Sequence, residues 1–152
     1  MNIKELVTIY FKGNEAAIEF VVDFFASWHV WDDFIDKDKP VTDEQVNQAF
    51  INAYIKIPRN SFYQANFAIL NPLMENAFIN WMVANKLEQT GEDLEIAYGL
   101  RNTYLSIINT CAAIIGGLDW AAIVAIDVQK NLAKNDSFED YASKFKTKNI
   151  EE

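Results

Sequence analysis

The sequence is poor in the residues that usually build disulfides, metal sites and nucleic-acid surfaces. It has one cysteine, one histidine and two arginines among 152 residues. The single cysteine, Cys111, excludes an internal disulfide and a cysteine-rich zinc site. There are 13 Lys and Arg against 22 Asp and Glu, so the net charge is −9 and the pI is about 4.6. A phosphate backbone would repel this chain, and we expect no nucleic acid among its partners.

Long apolar runs are also missing. The most apolar stretch, from Thr103 to Ile126, contains Asp119 and is divided by the Gly116-Gly117 pair. A membrane span needs roughly 20 predominantly apolar residues, so the stretch predicts two buried core helices and no membrane partner. At the N-terminus, Glu5 stands where a signal peptide would become apolar. Together with a free cysteine, this predicts a cytoplasmic protein.

The apolar residues that are present recur at helical spacing. They make up 51% of the chain, and aromatic residues make up 14%, which is ample for a packed core. Valine, isoleucine and threonine show no alternation with a period of two. The pattern predicts an all-α protein, a single-domain bundle of about six to eight helices around a central helix near 73–88. The predicted domain covers residues 1–145, and residues 146–152 are predicted to form a frayed tail with acidic and basic residues.

Capping residues and prolines set the predicted helix boundaries. Proline is favoured at the first helical position and excluded from helix interiors, so Pro58 is predicted to end one helix and Pro72 to begin another. Side-chain caps favour Ser, Thr, Asp and Asn. The predicted caps are Asn14 before a helix over 15–36, Thr42 with Gln45 before a helix over 43–57, and Ser137 with Asp140 before the last helix.

The end of the 15–36 helix carries an unusual polar group. One face changes from apolar residues to His29, Asp32, Asp33 and Asp36, which are spaced i, i+3, i+4 and i+7. Acidic residues at a helix C-terminus cost about 0.3–1 kcal/mol each when exposed. Three interpretations remain open: a solvated end neutralised by nearby lysines, an arginine partner, or a cation bound by Asp32, Asp33 and Asp36. Carboxylate ligands suit Mg or Mn, and the imidazole would add affinity for Mn or Zn.

Arg101 and two asparagines are further candidates for ligand binding. Arg101 lies within an apolar stripe and should be paired, because an uncompensated buried charge is strongly destabilising. Its predicted partners are the Asp32, Asp33 and Asp36 group, Glu75, Asp119 and Asp127. Asn76 and Asn80 fall within the apolar stripe of the 73–88 helix, so we expect them to be hydrogen-bonded structurally or to orient a ligand together with His29.

Two resemblances bear on function. Asp32-Asp33-Phe34-Ile35-Asp36 resembles the aspartate-rich motif of class I prenyl diphosphate and terpenoid synthases, which implies magnesium and a diphosphate ligand. The second metal-binding motif of that family is not found. Trp28 to Pro40, the segment 57–63 and Gly116 to Ala121 resemble small helical proteins of tailed bacteriophages that lack an assigned function. That resemblance implies action in the cytoplasm of an infected bacterium, or a place in the virion.

No complete catalytic constellation is found, so the leading prediction is a non-enzymatic helical interaction or accessory protein that binds a protein partner or itself. It contains a structural Asp, His and Arg cluster. The alternative is a divalent-metal-dependent enzyme or binder of a phosphorylated or diphosphate ligand, which would use Asp32, Asp33, Asp36 and His29.

Overall fold

A computed structural model describes residues 2–148, with side chains for residues 2–145, and within that part of the chain all regular structure is helical. This confirms the predicted all-α class. Uninterrupted helical runs number eight over the described residues. The elements are α1 (Ile3–Tyr10), α2 (Glu15–Asp36), α3 (Asp43–Ile51), a π-helical turn (Asn52–Lys56), α4 (Ile57–Arg59), α5 (Ser61–Ala65), α6 (Phe67–Thr90), α7 (Leu94–Arg101), a 3₁₀ turn (Asn102–Leu105), α8 (Ser106–Gly116), α9 (Leu118–Asn135) and α10 (Phe138–Lys148).

The chain divides into two compact units, one up to Ala68 and one from Ile69. The predicted single domain over 1–145 stays a prediction. Of the predicted tail over 146–152, residues 146–148 continue α10, and residues 149–152 lie outside the described part of the chain.

The predicted caps are confirmed. Asn14 accepts a hydrogen bond from the amide of Ala17 at 3.1 Å and begins α2. Thr42 and Gln45 form a reciprocal capping box at 2.9 and 3.2 Å before α3. Ser137 Oγ accepts from the amide of Asp140 at 3.2 Å. Each of these bonds satisfies a backbone donor that the first helical turn leaves without a partner.

In the first unit, α2 is the element on which the others pack. It contacts α1, α3, the π-helical turn, α4 and α5. Its buried stripe carries Phe20, Phe24 and Trp28, with ring centroids 6.3 and 5.7 Å apart in succession. Tyr63 of α5 stacks on Phe20 at 5.2 Å. The core of this unit is therefore largely aromatic.

The segment from α3 to α4 is one continuous helix with a wide turn in its middle. Asn52 and Ile57 are five residues apart and both are buried, so a π-helical step is needed to turn both inward. The amide of Ile57 donates to the carbonyl of Asn52 across this turn. Pro58 was predicted to end the helix, but the helix continues one residue beyond it to Arg59, so Pro58 lies in the last turn and removes one backbone donor there.

The second unit begins within α6. The prediction that a helix starts at Pro72 is wrong, because α6 begins at Phe67 and contains Pro72. Its buried residues include Ala77, Trp81, Ala84 and Glu88, which repeat at i, i+4, i+7 and i+11 along one face. The opposite face is exposed although much of it is apolar.

Between α8 and α9 the chain turns at two glycines. Gly117 has a φ of +87°, a region that glycine enters readily and other residues rarely do. A Cβ at Gly116 would lie 2.4 Å from a ring carbon of Trp120, so only glycine fits against that ring. The turn lets α8 and α9 pack as a hairpin. Two helices were predicted here, but the prediction that both are buried is wrong for α9, where Leu118, Ile123 and Ile126 are exposed.

A second buried cluster joins α6, α7 and α10. Ala84, Ala97 and Tyr141 form its centre, and Leu87, Leu94, Tyr98, Leu100, Phe138 and Phe145 pack around them. Tyr98 also donates a hydrogen bond from its hydroxyl to the carbonyl of Asp136 at 2.6 Å. Aromatic contacts therefore hold the last helix in place.

Candidate functional site

The C-terminal end of α2 is the first candidate site that the sequence indicates. Lys37 closes the helix in the left-handed conformation, with a φ of 58°, and its amide donates to the carbonyl of Asp33 at 2.9 Å. Trp28 is buried, Trp31 is half-buried, and Ile35 is exposed. The apolar stripe of α2 thus leaves the core near Trp31, one turn earlier than the sequence pattern indicates.

His29 lies on the exposed side of this end. Its ring meets Phe25 edge to face, with centroids 6.3 Å apart. Partial desolvation lowers the pKa of His29, while the carboxylates of Asp32 and Asp33 act in the opposite direction and Lys39 lowers it further. The neutral imidazole is therefore favoured at neutral pH.

The carboxylates of this end do not surround a common point. Asp32, Asp33 and Asp36 are half-buried. Over residues 2–148, no group of three or more His, Cys, Asp or Glu side chains has an arrangement that could hold a metal ion. Binding of Mg or Mn at Asp32, Asp33 and Asp36 therefore stays a prediction without geometric support.

The two asparagines of the 73–88 helix differ from each other in their surroundings. Asn76 is exposed, which corrects the prediction that it lies within the buried stripe. Asn80 is half-buried, and its side-chain amide donates to Thr103 Oγ1 at 3.1 Å. The hydrogen bond from Asn80 links α6 to the 3₁₀ turn, so Asn80 has the structural role that was one of its two expected roles.

Arg101 is paired, as expected, but its partner was missed. Its Nε and one terminal nitrogen donate to the two carboxylate oxygens of Glu88 at 2.6 and 2.5 Å. Glu88 was not among the predicted partners. A guanidinium and a carboxylate matched in this way form the strongest type of side-chain ion pair, because two parallel charge-assisted bonds fix their geometry.

Two aromatic residues complete the environment of this pair. Tyr141 donates its hydroxyl to Glu88 Oε1 at 2.6 Å, and the Arg101 guanidinium carbon lies 4.9 Å from the centroid of the Trp81 ring. The side chains of Glu88 and Arg101 are only 6% and 14% exposed. Burial raises the pKa of Tyr141, the hydrogen bond to Glu88 raises it further, and Arg101 acts in the opposite direction. The phenol stays protonated and donates.

The network follows from the faces that each helix buries. Glu88 continues the buried face of α6 that carries Ala77, Trp81 and Ala84, Arg101 ends α7, and Tyr141 comes from α10. A signal for Glu88 was present in the sequence, since a charged residue at a core spacing implies a charged partner. Nothing in the local pattern pointed to Tyr141, which is 53 residues away.

Chemically, this network fixes helices and offers no reactive group. Glu88 accepts three hydrogen bonds, two from Arg101 and one from Tyr141.

Cys111 is fully buried in α8, and burial raises the pKa of its thiol to about 12. The thiolate, which is the nucleophilic form, is therefore negligible at neutral pH.

Two helix faces expose large apolar side chains in the same arrangement. The first, here called the 50–55 face, consists of Phe50, Ile51, Tyr54 and Ile55 on α3 and the π-helical turn. The second, the 78–83 face, consists of Phe78, Ile79, Met82 and Val83 on α6. Each set occupies positions i, i+1, i+4 and i+5, so its members share one side of the helix. Phe50 and Tyr54 are 60% and 72% exposed, and their rings stack 5.7 Å apart.

Comparisons with known proteins add no relative. No protein-family model, curated protein or solved structure matches this chain. Within residues 2–148, no helix combines the length and the apolar character that a membrane crossing requires.

Proposed function

We propose that this chain is a helical interaction protein, which binds another protein surface through exposed apolar helix faces and performs no catalysis itself. The observation that carries the proposal is the repeated arrangement of the 50–55 face and the 78–83 face. Contiguous exposed apolar patches mark interaction surfaces in soluble proteins. Anchors one turn apart on one helix side are the usual way in which a helix docks into a groove.

The energy available from these faces supports the proposal. Burying a large apolar side chain completely is worth about 1.5–3 kcal/mol. The four side chains of the 50–55 face are about half exposed or more. Covering them would therefore provide about 3–6 kcal/mol before the entropic cost of association. Such a value suits a weak or regulated contact, or one that a second face reinforces.

Two of the predicted ligand-binding residues already have structural partners. Arg101 is engaged by Glu88, and Asn80 by Thr103. The proposed role is accessory, in keeping with the resemblance to small phage proteins.

A displayed library of amphipathic helical peptides tests the proposal. Peptides are selected on the native protein and then measured on three variants: F50S/Y54S, F78S/M82S, and a control, A26S/Q129S, at exposed positions of α2 and α9. We expect at least tenfold weaker binding to one of the face variants and unchanged binding to the control. Equal binding to all variants, or no selectable peptide at all, would contradict the proposal.

A further inference from the structure

The exposed side of the α3 to α4 segment has an ordered distribution of charge. Asp43 and Glu44 are exposed at its first turn, and Lys56 and Arg59 are exposed at its end. Residues 45–55 between them carry no charge. The 50–55 face therefore lies between an acidic end and a basic end of the same helical segment.

We propose that the 50–55 face pairs with the same face of a second copy of this chain, with the two segments antiparallel about a two-fold axis near Ile51. This rests on the proposed interaction function and names its partner. In a two-fold interface a patch must be complementary to itself, so residue i meets j and j meets i. Antiparallel pairing brings the acidic end of one copy to the basic end of the other. Parallel pairing would bring like charges together, which disfavours it.

The register follows from the spacing. Ile51 lies seven residues after Glu44 and Asn52 lies seven before Arg59, so an axis between Ile51 and Asn52 places Glu44 of each copy opposite Arg59 of the other. The same axis lies within the apolar set, because Phe50 and Tyr54 flank it. Lys56 is already bound to Asp23 at 3.0 Å, so Arg59 is the main basic group of the pairing. The apolar set is centred between Asn52 and Ala53, one residue further along, so charge and apolar contact select registers only about 1.5 Å apart.

The size of the face sets the expected strength. Seventeen residues, Asp43 to Arg59, span about 24 Å at 1.5 Å per residue, and a helix is about 10 Å wide. A strip of this length and width has a smaller area than the roughly 800 Å² that each partner buries in a standard interface. The dimer should therefore be weak, with a dissociation constant in the high-micromolar to millimolar range, and the dimeric fraction should rise with protein concentration.

The same charge order would also favour an isolated helix, since acidic residues suit its N-terminus and basic residues its C-terminus. Exchanging the charges at positions 44 and 59 distinguishes pairing between two copies from the effect of the helix dipole within one copy. Glu44→Lys and Arg59→Glu each place like charges opposite each other in the dimer, and the double variant E44K/R59E restores opposite charges. For the helix dipole alone, the two changes would add instead of cancelling.

Sedimentation velocity on the full-length protein over a wide concentration range measures the dimer. We expect each single charge variant to weaken it about tenfold in low salt and the double variant to return close to the native value. A chain that is monomeric at every concentration, a dimer that neither single variant weakens, or a double variant weaker than both singles would overturn the proposal.

A disulfide tests the position of the axis. Ile51→Cys should form an intermolecular disulfide on mild oxidation, because each copy would present this position to the other near the axis. Ile123→Cys is the matched control, since Ile123 is an exposed isoleucine on α9 that does not belong to the 50–55 face. The native Cys111 is buried and does not compete. Equal cross-linking at both positions would contradict the proposal. If the chain stays monomeric while peptides still bind in a face-dependent way, only the pairing fails and the interaction function stands.

Discussion

Replacing Glu88 with glutamine removes the negative charge that neutralises Arg101 but keeps the size and shape of the side chain. The amide would turn an N–H group toward a guanidinium that can only donate. Arg101 Nε and Tyr141 both donate to Oε1, where an amide oxygen can still accept, so the change breaks the bond from the terminal nitrogen of Arg101 to Oε2 and removes the carboxylate charge. The perturbation therefore tests whether this buried ion pair holds the second unit together.

The expected loss is large. Removing one partner of a buried ion pair costs about 3–5 kcal/mol, because the other charge is left uncompensated. Arg101 is 14% exposed, so its guanidinium can regain some water, and we expect about 2–4 kcal/mol for Glu88→Gln. Tyr141→Phe removes one hydrogen bond to a charged group and should cost about 1.5–3 kcal/mol. Glu88→Gln should therefore be the more damaging of the two.

A double-mutant cycle isolates the pair. Glu88→Met and Arg101→Met each leave one buried charge, whereas the double variant leaves none and fills a similar volume. Urea unfolding followed by circular dichroism gives the free energy of unfolding of each protein. We expect the double variant to lie closer to the native protein than either single variant, with a coupling energy of about 2–4 kcal/mol.

Hydrogen exchange provides a local check on the same pair. Tyr141 connects α10 to Glu88, so Glu88→Gln should speed exchange in α10 more than in α2, which belongs to the other unit. Additive losses in the cycle, or a Glu88→Gln variant within 0.5 kcal/mol of the native protein (about the range of an ordinary surface substitution), would refute the reasoning.

Two further predictions concern titratable groups. Burial raises the pKa of Cys111 to about 12, so a disulfide thiol reagent at pH 8 should react only as urea unfolds the protein, and fast reaction of the folded chain would contradict this. Desolvation lowers the pKa of folded His29 below its ordinary 6.5, so protonation favours the unfolded chain. The stability contributed by His29 should be complete above pH 6.5 and decline as the pH falls below it. An NMR titration of the imidazole gives the folded pKa, a His29→Gln variant should lack this decline, and a folded pKa above 6.5 would show that the sign is wrong.

The helices were predictable because their signals are local. Asn14, Thr42 with Gln45, and Ser137 each cap a helix where the sequence predicted one, since a cap involves residues three apart. Pro72 was predicted to begin a helix because proline is favoured at the first helical position. Here α6 starts five residues earlier and accepts the loss of one backbone hydrogen bond.

The exposed faces could not be separated from the core by sequence alone. The helix near 73–88 is apolar around most of its circumference, and that pattern predicted a central helix with one narrow polar face. In the structure Trp81 and Ala84 are buried, while Phe78 and Met82 are exposed. The sequence shows which residues are apolar, but which of them are buried depends on the helices that pack against them. The excess apolar surface on this helix is what the interaction proposal explains.

The two groups of charged residues differ in how deeply they are buried. Asp32, Asp33 and Asp36 attract attention because they are close in sequence at an unfavourable helix end. They are half-buried at the end of α2. Glu88 and Arg101 are 13 residues apart and form no recognisable sequence motif. Because both side chains are largely buried, each needs the opposite charge of the other. Depth of burial, more than local density of charge, decides which charged residues need a partner. The Glu88 cycle tests that principle in this protein, because its outcome depends on two charges that no short motif connects.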